Sequence, residues 1–320
     1  MNNASITIVI IRAAGYAGAT WVNLILGSHM NAMSMGPTTR FVGFSKEDIN
    51  NACFVHREKC TLWPEFLKQG YHKGNLFSNL AKFTGKKVFI VNYPTEECLK
   101  GEIEGKGFRV IHVQLVRDGR ANLHSKIRHD SINGVVYPLE IILNWQIPKW
   151  VQINNEMPSD QALWYRLKYE DLLNIPKVTL SKLSTFVGLN YDSKAIKFWE
   201  FEHHLTAGNT GVIDTLCRMQ NLKGWEHHRR ESYSGYIKSI QLHNNDKYID
   251  SEWKKALNRK QLLAFDCLFG VINQSLGYVR DDFSDEERKA FWMEFRKYDT
   301  LWKSESSLKK KLSNWFNNIR

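Results

Sequence analysis

A run of small residues near the start of the chain has the composition of an anion-binding loop. Residues 12–21 read RAAGYAGATW and follow the apolar run SITIVII at 5–11. Alanine and glycine allow a phosphate to approach the backbone N–H groups, because a larger side chain would hold the anion away. A tight structural turn would have the same composition, so both interpretations stay open on these residues alone.

The loop does not fit two common nucleotide-binding patterns. A nucleoside-triphosphate P-loop reads G-x-x-x-x-G-K-S/T, with its lysine directed at the β- and γ-phosphates. Here Gly18 is followed by Ala19 and Thr20. The dinucleotide pattern G-x-G-x-x-G is absent as well. A kinase that uses ATP is an alternative function, but the chain lacks the P-loop lysine that it would need. Asp118 is the one candidate ligand for its Mg²⁺.

A second segment carries groups that bind phosphate. RDGRANLHS at 117–125 follows an apolar run, so that Arg117 lies at the end of a predicted strand and Ser125 within the next helix. The arginine fork matches a phosphate, and the serine hydroxyl can reach the same anion. A solvent-facing arginine and a serine on a helix surface are the alternative interpretation.

Strand and helix signals alternate along the chain. The run at 5–11, without polar alternation, predicts a strand buried on both faces; residues 87–93 and 108–116 repeat the strand signal, and residues 163–169 are a fourth candidate strand. Residues 20–27 continue from the first run with the spacing of a helix. This order predicts an α/β fold with a central parallel sheet flanked by helices, and ligands at the carboxyl ends of the strands.

The two loop segments also resemble the signatures of a known enzyme family. GYAGATWV at 15–22 resembles P-K/R-S-G-T-T-W-L, and RDGRANLHS resembles R-D-P-R-x-x-x-x-S. On these motifs the chain resembles the PAPS-dependent sulfotransferases, PAPS being 3′-phosphoadenosine 5′-phosphosulfate. Further segments resemble this family in the same order: KYEDLLNIP at 168–176, FVGL at 186–189, HLTAGN at 204–209, IDSEW at 249–253 and LGY at 276–278.

The resemblance implies a P-loop-like sulfotransferase fold over residues 1–281. The charged segment at 282–320 predicts an amphipathic helical C-terminal extension packed on the same domain, with a membrane-surface or dimer helix as the alternative. Apolar side chains recur in this extension at roughly helical spacing: Trp292, Phe295, Trp302, Leu312, Trp315 and Phe316.

The resemblance also implies a donor-binding site. The 5′-phosphosulfate is expected at the backbone N–H groups that begin the first helix, and the 3′-phosphate at Arg117 and Ser125. Trp21 is expected to stack on adenine, with Tyr169 at the base or its edge. The predicted cofactor-binding residues are Ala17, Gly18, Ala19, Thr20, Trp21, Arg117, Ser125, Tyr169, Asn209 and Lys223.

The chain departs from the family's signatures at the positions expected to be catalytic. Tyr16 stands where the family carries lysine or arginine beside the leaving group, and Arg12 lies just upstream. Many members resemble K-T-H-L-P, with the histidine as base, where this chain reads VNYP with Asn92. The predicted catalytic residues are Arg12, Tyr16, His56 and Glu97, with Glu47 and Glu96 as further candidate bases. Two alternatives to such a base stay open. The acceptor could already be nucleophilic, or the protein could bind the nucleotide without turnover.

Composition and net charge narrow the classes of ligand and partner that the protein could bind. The 320 residues carry a formal net charge of +11, which favours anionic ligands. Charge is the only feature that supports nucleic acid, so none is predicted as a partner. The expected acceptor is a small soluble metabolite in an aromatic pocket, because the chain has eleven tryptophans. A homo-oligomer is possible.

The cysteines and the hydropathy pattern bear on the cellular compartment of the protein. Five cysteines without a C-x-x-C pair indicate neither a disulfide framework nor a structural zinc site, and the reaction scheme requires no metal. No run reaches the roughly 18 apolar residues of a membrane span. The sequence thus predicts a cytoplasmic protein.

Overall fold

The computed structural model describes residues 6–37, 53–69, 74–92, 96–132, 150, 153–154, 163–222 and 251–295. The chain divides into two compact units. The first comprises residues 1–117 and 157–249, and the second comprises residues 118–156 and 250–320. The expected boundary between residues 281 and 282 stays a prediction.

The first unit contains a parallel sheet. Its strands are β1 (Thr7–Ala13), β2 (Ala32–Gly36), β3 (Val88–Asn92), β4 (Arg109–Val116) and β5 (Trp164–Lys168). They are ordered β2-β3-β1-β4-β5, and each neighbouring pair is parallel. Every residue of β1 is buried, as expected for a central strand covered on both faces. The predicted α/β fold with a central parallel sheet is confirmed.

Helices flank and follow these strands. The described α-helices are α1 (Ala19–Gly27), α2 (Leu62–Lys68), α3 (Leu76–Thr84), α4 (Glu96–Ile103), α5 (Gly119–Ile132), α6 (Tyr169–Asn174), α7 (Pro176–Val187), α8 (Thr210–Met219), α9 (Glu252–Ala256), α10 (Arg259–Ser275) and α11 (Asp285–Phe295). Short 3₁₀ turns lie at Arg57–Lys59, Ser193–Ile196 and Phe198–Glu200. Helices α5 and α9 to α11 belong to the second unit.

The strand order makes the end of β1 a natural ligand position. The chain goes from β1 to the edge strand β2, returns to β3, and then crosses β1 to reach β4. The carboxyl ends of β1 and β4 therefore lie where the strand order changes direction. Ligands of open α/β sheets bind at such a point.

Strand β2 is not among the strands that the sequence predicts. Its residues, AMSMG, include no β-branched side chain, so they carry little strand signal. The strand is instead held by packing on α1, where the Ser34 hydroxyl donates to the Asn23 carbonyl at 2.8 Å. A Cβ atom on Gly27 would lie 1.8 Å from the Ser34 oxygen, so this contact requires glycine. Tertiary packing makes this segment a strand.

The second unit has its own core. Trp150, Phe265 and Phe269 form an aromatic cluster against which Gly119 packs. Asp266 on α10 is buried and accepts hydrogen bonds from Arg280 at 2.7 Å and Arg288 at 2.8 Å. Buried carboxylates are stable when such partners surround them.

Helix α11 is the start of the predicted C-terminal extension. It contacts α10 through Arg259, whose guanidinium pairs with Glu287, and through Lys260, 3.9 Å from Glu294. Trp292 lies on this helix; residues 296–320, including Trp302, Leu312, Trp315 and Phe316, lie outside the described residues. Across the described ranges, no helix combines the length and hydropathy needed to cross a bilayer.

Candidate functional site

The loop between β1 and α1 turns through two left-handed residues. β1 ends at Ala13 and α1 begins at Ala19. Between them φ is 66° at Tyr16 and 95° at Gly18, and the Ala17 N–H donates to the Ala14 carbonyl at 3.2 Å. Gly18 is the N-cap of α1 and has no side chain that could accept the first N–H groups of the helix. The loop thereby presents donors at the positive end of a helix dipole.

Tyr169 packs directly on this loop. A Cβ atom on Gly18 would lie 2.8 Å from the Tyr169 ring, so glycine is needed both for its φ and for this contact. Tyr169 is half-buried at the start of α6, next to the end of β5. An aromatic face thus borders the loop.

Arg117 joins the end of β4 to the same loop. Its guanidinium donates to the Tyr16 carbonyl at 2.5 Å and lies 4.7 Å from the centroid of the Tyr169 ring. The arginine is half-buried. A permanent positive charge therefore lies beside the β1–α1 loop, which raises its affinity for anions.

The Thr20 hydroxyl is held from a distant segment. The backbone N–H of Asn209 donates to the Thr20 oxygen at 2.9 Å. A Cβ atom on Gly208 would lie 2.8 Å from the Thr20 methyl group, so glycine permits this approach. Since the hydroxyl accepts this bond, its hydrogen remains able to point to an anion. The Asn209 side-chain oxygen accepts from Gly211 and Val212 as the N-cap of α8.

Trp21 and Arg12 are both in the core of the first unit. Trp21 is 3% exposed and meets Tyr169 edge-on, with ring centroids 6.2 Å apart. The Arg12 guanidinium lies 5.5 Å from the centroid of the Trp164 ring, and its residue pairs in register with Gln114 of β4. The stacking role of Trp21 and the catalytic role of Arg12 stay predictions; the observed contacts of both side chains are with other protein groups.

Asn92, at the end of β3, is also tied into the core. It is buried, and its side-chain oxygen accepts a hydrogen bond from Asn23 at 2.9 Å. Asn23 on α1 donates to the Ile90 carbonyl as well, at 3.0 Å. The asparagine pair thus attaches α1 to β3, a contact that the sequence pattern did not suggest.

The RDGR motif is divided between the two units. Arg117 belongs to the first unit, whereas Asp118 and Arg120 belong to the second. The Asp118 carboxylate accepts from the Arg120 Nε at 3.0 Å and Nη2 at 2.7 Å, and from Asn273 at 3.2 Å. Arg120 occupies both carboxylate oxygens, which disfavours the Mg²⁺ role that the kinase alternative gave to Asp118. Ser125 is half-buried on α5, and its role stays a prediction.

The remaining predicted residues are distributed as follows. His56 is half-buried, and its ring lies beside Cys53 and His204. Glu97 is in α4, but its side chain, like that of Glu96, lies outside the described residues. Glu47 and Lys223 lie outside them entirely. The described structure therefore places Arg117, Tyr169 and Asn209 beside the loop and Thr20, whereas the roles of Ser125, Lys223 and the candidate bases stay predictions.

Replacing Gly18 by alanine is expected to destabilise the protein by more than the usual cost of a left-handed alanine, about 1–2 kcal/mol. The added Cβ must also displace the Tyr169 ring, and the first N–H groups of α1 shift with it. Gly85 is a matched control, because its φ is 71° and nothing lies within 4 Å of an added Cβ atom. Urea denaturation of both alanine variants measures the difference; equal losses would show that Tyr169 is not held against the loop.

The structure is similar to two solved sulfotransferase domains. With the sulfotransferase domain of the Synechococcus PCC 7002 olefin synthase the TM-score is 0.50 at 14% identity, covering 86% of this chain and 96% of that chain. With the sulfotransferase domain of the curacin biosynthetic pathway it is 0.52 at 15% identity, covering 87% and 99%. The chain has the sulfotransferase fold.

The likeness is one of fold. No protein-family model matches the chain, and no curated protein sequence matches it. The sulfotransferase fold confirms the resemblance that the ordered motifs carry, although few residues are identical. Within this sulfotransferase fold, the carboxyl ends of β1 and β4 place the Gly18 loop and Arg117 next to each other.

Proposed function

We propose that the protein transfers a sulfuryl group from PAPS to a small soluble metabolite and releases adenosine 3′,5′-bisphosphate. The acceptor atom is a hydroxyl oxygen or an amine-type nitrogen. One observation carries the proposal: the Arg117 guanidinium is bonded to the Tyr16 carbonyl of the β1–α1 loop. Two groups suited to different phosphates are thereby adjacent, which suits a nucleotide phosphorylated at both its 5′ and 3′ positions.

In this proposal, different residues bind different parts of the PAPS molecule. The N–H groups of Ala17, Gly18, Ala19 and Thr20, together with the Thr20 hydroxyl, bind the 5′-phosphosulfate at the helix N-terminus. Arg117 binds the 3′-phosphate through a charge-assisted bidentate contact. Tyr169, half-buried beside the loop, is assigned to contact the base or its edge, whereas Trp21 meets Tyr169 edge-on from the core.

The protein's contribution to the reaction is orientation and charge stabilisation. Sulfuryl transfer is an in-line displacement, in which the acceptor attacks sulfur while the bridging oxygen leaves with the bisphosphate. In such displacements, positioning and stabilisation of the leaving group provide most of the rate enhancement. The Thr20 hydroxyl and the Ala19 and Thr20 N–H groups are proposed to stabilise the leaving oxygen, in place of the lysine or arginine that Tyr16 replaces. Arg12, Tyr16, His56 and Glu97 stay the candidates for further catalytic roles.

Two other functions give different results in a ligand test. A kinase needs ATP with Mg²⁺, and the pairing of Asp118 with Arg120 removes its best candidate metal ligand. A PAPS-binding protein without turnover shares the donor site and differs only in product formation.

The proposal is tested first by thermal unfolding with added nucleotides. Adenosine 3′,5′-bisphosphate is expected to raise the Tm, whereas adenosine 5′-monophosphate and ATP with Mg²⁺ give smaller shifts. A ligand at 100 times its Kd stabilises the native state by about 2.7 kcal/mol. A larger shift with ATP would contradict the proposal and favour a kinase. Release of adenosine 3′,5′-bisphosphate from PAPS in the presence of amine or hydroxyl acceptors then separates turnover from binding.

A further inference from the structure

Four potential metal ligands meet in the first unit, outside the GYAGATWV and RDGRANLHS motifs. Cys53, His56 and Cys60 lie on one short loop, and His204 lies on the segment that leads to α8. Their ligand atoms all lie within 4.8 Å of one another. Cys53 and Cys60 are 1% and 5% exposed, and both histidines are half-buried. These four residues are called the Cys/His cluster below.

Distances within the Cys/His cluster suit tetrahedral coordination. The Cys53 sulfur is 3.5 Å from the His56 Nδ1, and the Cys60 sulfur is 3.4 Å from the His204 Nδ1. Zn–S bonds of about 2.3 Å and Zn–N bonds of about 2.0–2.1 Å at the tetrahedral angle place sulfur and nitrogen about 3.6 Å apart. The cluster therefore needs only a small contraction of its longer separations to surround one ion.

The surroundings of the cluster orient its members as ligands. The His204 Nε2 lies 3.0 Å from a Glu202 carboxylate oxygen, so Nδ1 is the nitrogen that faces Cys60. A carboxylate behind a metal-binding imidazole is the usual second partner, because it fixes the ring and raises its basicity. The His56 backbone N–H donates to the Cys53 sulfur at 3.3 Å. Such bonds stabilise a thiolate, which is the form that binds metal.

The loop and the His204 segment are held together by hydrogen bonds to backbone carbonyls. The Phe54 N–H donates to the Leu205 carbonyl at 2.7 Å, and the Trp63 indole N–H donates to the His204 carbonyl at 2.9 Å. These bonds fix the two chain segments before any ion binds. The preorganised position of the ligands reduces the conformational entropy that metal binding would cost.

The Cys/His cluster also matches a divalent cation in charge. Two thiolates and two neutral imidazoles around one divalent cation carry no net charge, which suits a position where both cysteines are buried.

We propose that Cys53, His56, Cys60 and His204 bind one zinc ion as a closed structural site. Four protein ligands of the Cys₂His₂ type leave no open position, which is the arrangement of structural rather than catalytic zinc. Two sulfur and two imidazole ligands also favour zinc over Mg²⁺ or Ca²⁺, which prefer oxygen. On binding, the thiol protons of the two cysteines are released to solvent. His56 then uses its lone pair on the metal and is not available as a general base.

The site would act on the β1–α1 loop by holding the segment after His204. Thr206 donates through its hydroxyl to the Met35 carbonyl at 3.0 Å, at the end of β2. Three residues later the Asn209 N–H donates to Thr20. Zinc at His204 therefore anchors the start of a segment that contacts both β2 and α1.

The test is the zinc content of the full chain, purified under reducing conditions from cells grown with added zinc. We expect one zinc ion per chain by elemental analysis, and near-complete loss of it in Cys60→Ser and His204→Ala. Cys217→Ser is the matched control, because Cys217 is a buried cysteine 3.9 Å from the Val55 carbonyl of the same loop. This control variant is expected to keep its zinc.

Measurements on the unmodified protein keep the test decisive if the variants fail to fold. X-ray absorption at the zinc edge is expected to show two sulfur ligands at about 2.3 Å and two nitrogen ligands at about 2.0–2.1 Å. Chelation is expected to lower the Tm, because the ion binds the native state. Purified protein without zinc, zinc without sulfur ligands, full retention in Cys60→Ser, or a Cys53–Cys60 disulfide in freshly prepared protein would each overturn the proposal. The sequence-based expectation of no metal predicts the first of these results.

Discussion

Arg120→Ala is expected to lower the free energy of unfolding of the second unit by about 3–5 kcal/mol, the cost of breaking a buried ion pair from one side. Arg120 donates to Asp118 at 2.7 Å and to Asp281 at 2.8 Å, with only 6% of its side chain exposed. Its guanidinium also lies 4.1 Å from the centroid of the Trp253 ring. Without it, two carboxylates are left without this partner in a site where burial already raises the pKa of Asp281. Urea denaturation followed by tryptophan fluorescence measures the loss.

Arg128→Ala is the matched control on the same helix. Arg128 is exposed, and its Nη1 is 3.7 Å from Glu252. Exposed ion pairs of this kind contribute little, so the change is expected to stay within about 0.5 kcal/mol. If Arg120→Ala costs no more than Arg128→Ala, the buried network does not stabilise the second unit.

Arg117→Ala is expected to weaken binding of adenosine 3′,5′-bisphosphate roughly 10- to 150-fold, since a hydrogen bond to a charged group contributes about 1.5–3 kcal/mol. The change removes the proposed contact to the 3′-phosphate and the bond to the Tyr16 carbonyl. Isothermal titration calorimetry with adenosine 3′,5′-bisphosphate and adenosine 5′-monophosphate measures it. The loss is expected for the first ligand and not for the second.

Two variants define the specificity of this effect. Arg109→Ala removes an exposed arginine at the opposite end of β4, which donates to the Phe186 carbonyl, and is expected to leave the affinity unchanged. Arg117→Lys keeps the charge without the fork, so an intermediate affinity is expected. Equal affinity of Arg117→Ala and the unmodified protein would remove Arg117 from the donor site.

Arg117 and Arg120 have different environments, which their shared motif does not reveal. In RDGR they are three residues apart, and either could be the phosphate ligand by its chemistry alone. In the structure, Arg117 contacts the β1–α1 loop, whereas Arg120 is enclosed by carboxylates and an indole ring. A substitution screen of this motif should therefore separate loss of ligand binding from loss of stability.

Local sequence patterns were sufficient to predict most strands of the sheet. Local strand signals predicted β1, β3, β4 and β5 to within a few residues. The signal is clearest in β1 and β3, which are buried at every position and are therefore mostly apolar. The ordered motifs predicted the sulfotransferase fold, and the small residues at 14–18 marked the loop. Each of these signals lies within a short stretch of chain.

Other features depend on contacts between distant residues. Strand β2 carries no β-branched residue and exists through its packing on Gly27. Asn92 occupies a position where the family resemblance suggested a catalytic group, yet its partner Asn23, 69 residues away, holds it in the core. Trp21 matches its motif and is nevertheless buried.

The sequence by itself determined β1, β3, β4 and β5, the run of small residues in the β1–α1 loop and the fold family. Only the tertiary structure decided which side chains share a site. It placed Arg117 against Tyr16, 101 residues apart, and His204 beside Cys60, 144 residues apart. The reason is physical: backbone preference and hydrophobic periodicity act over a few residues, whereas burial, charge pairing and metal coordination depend on where the folded chain brings its segments together.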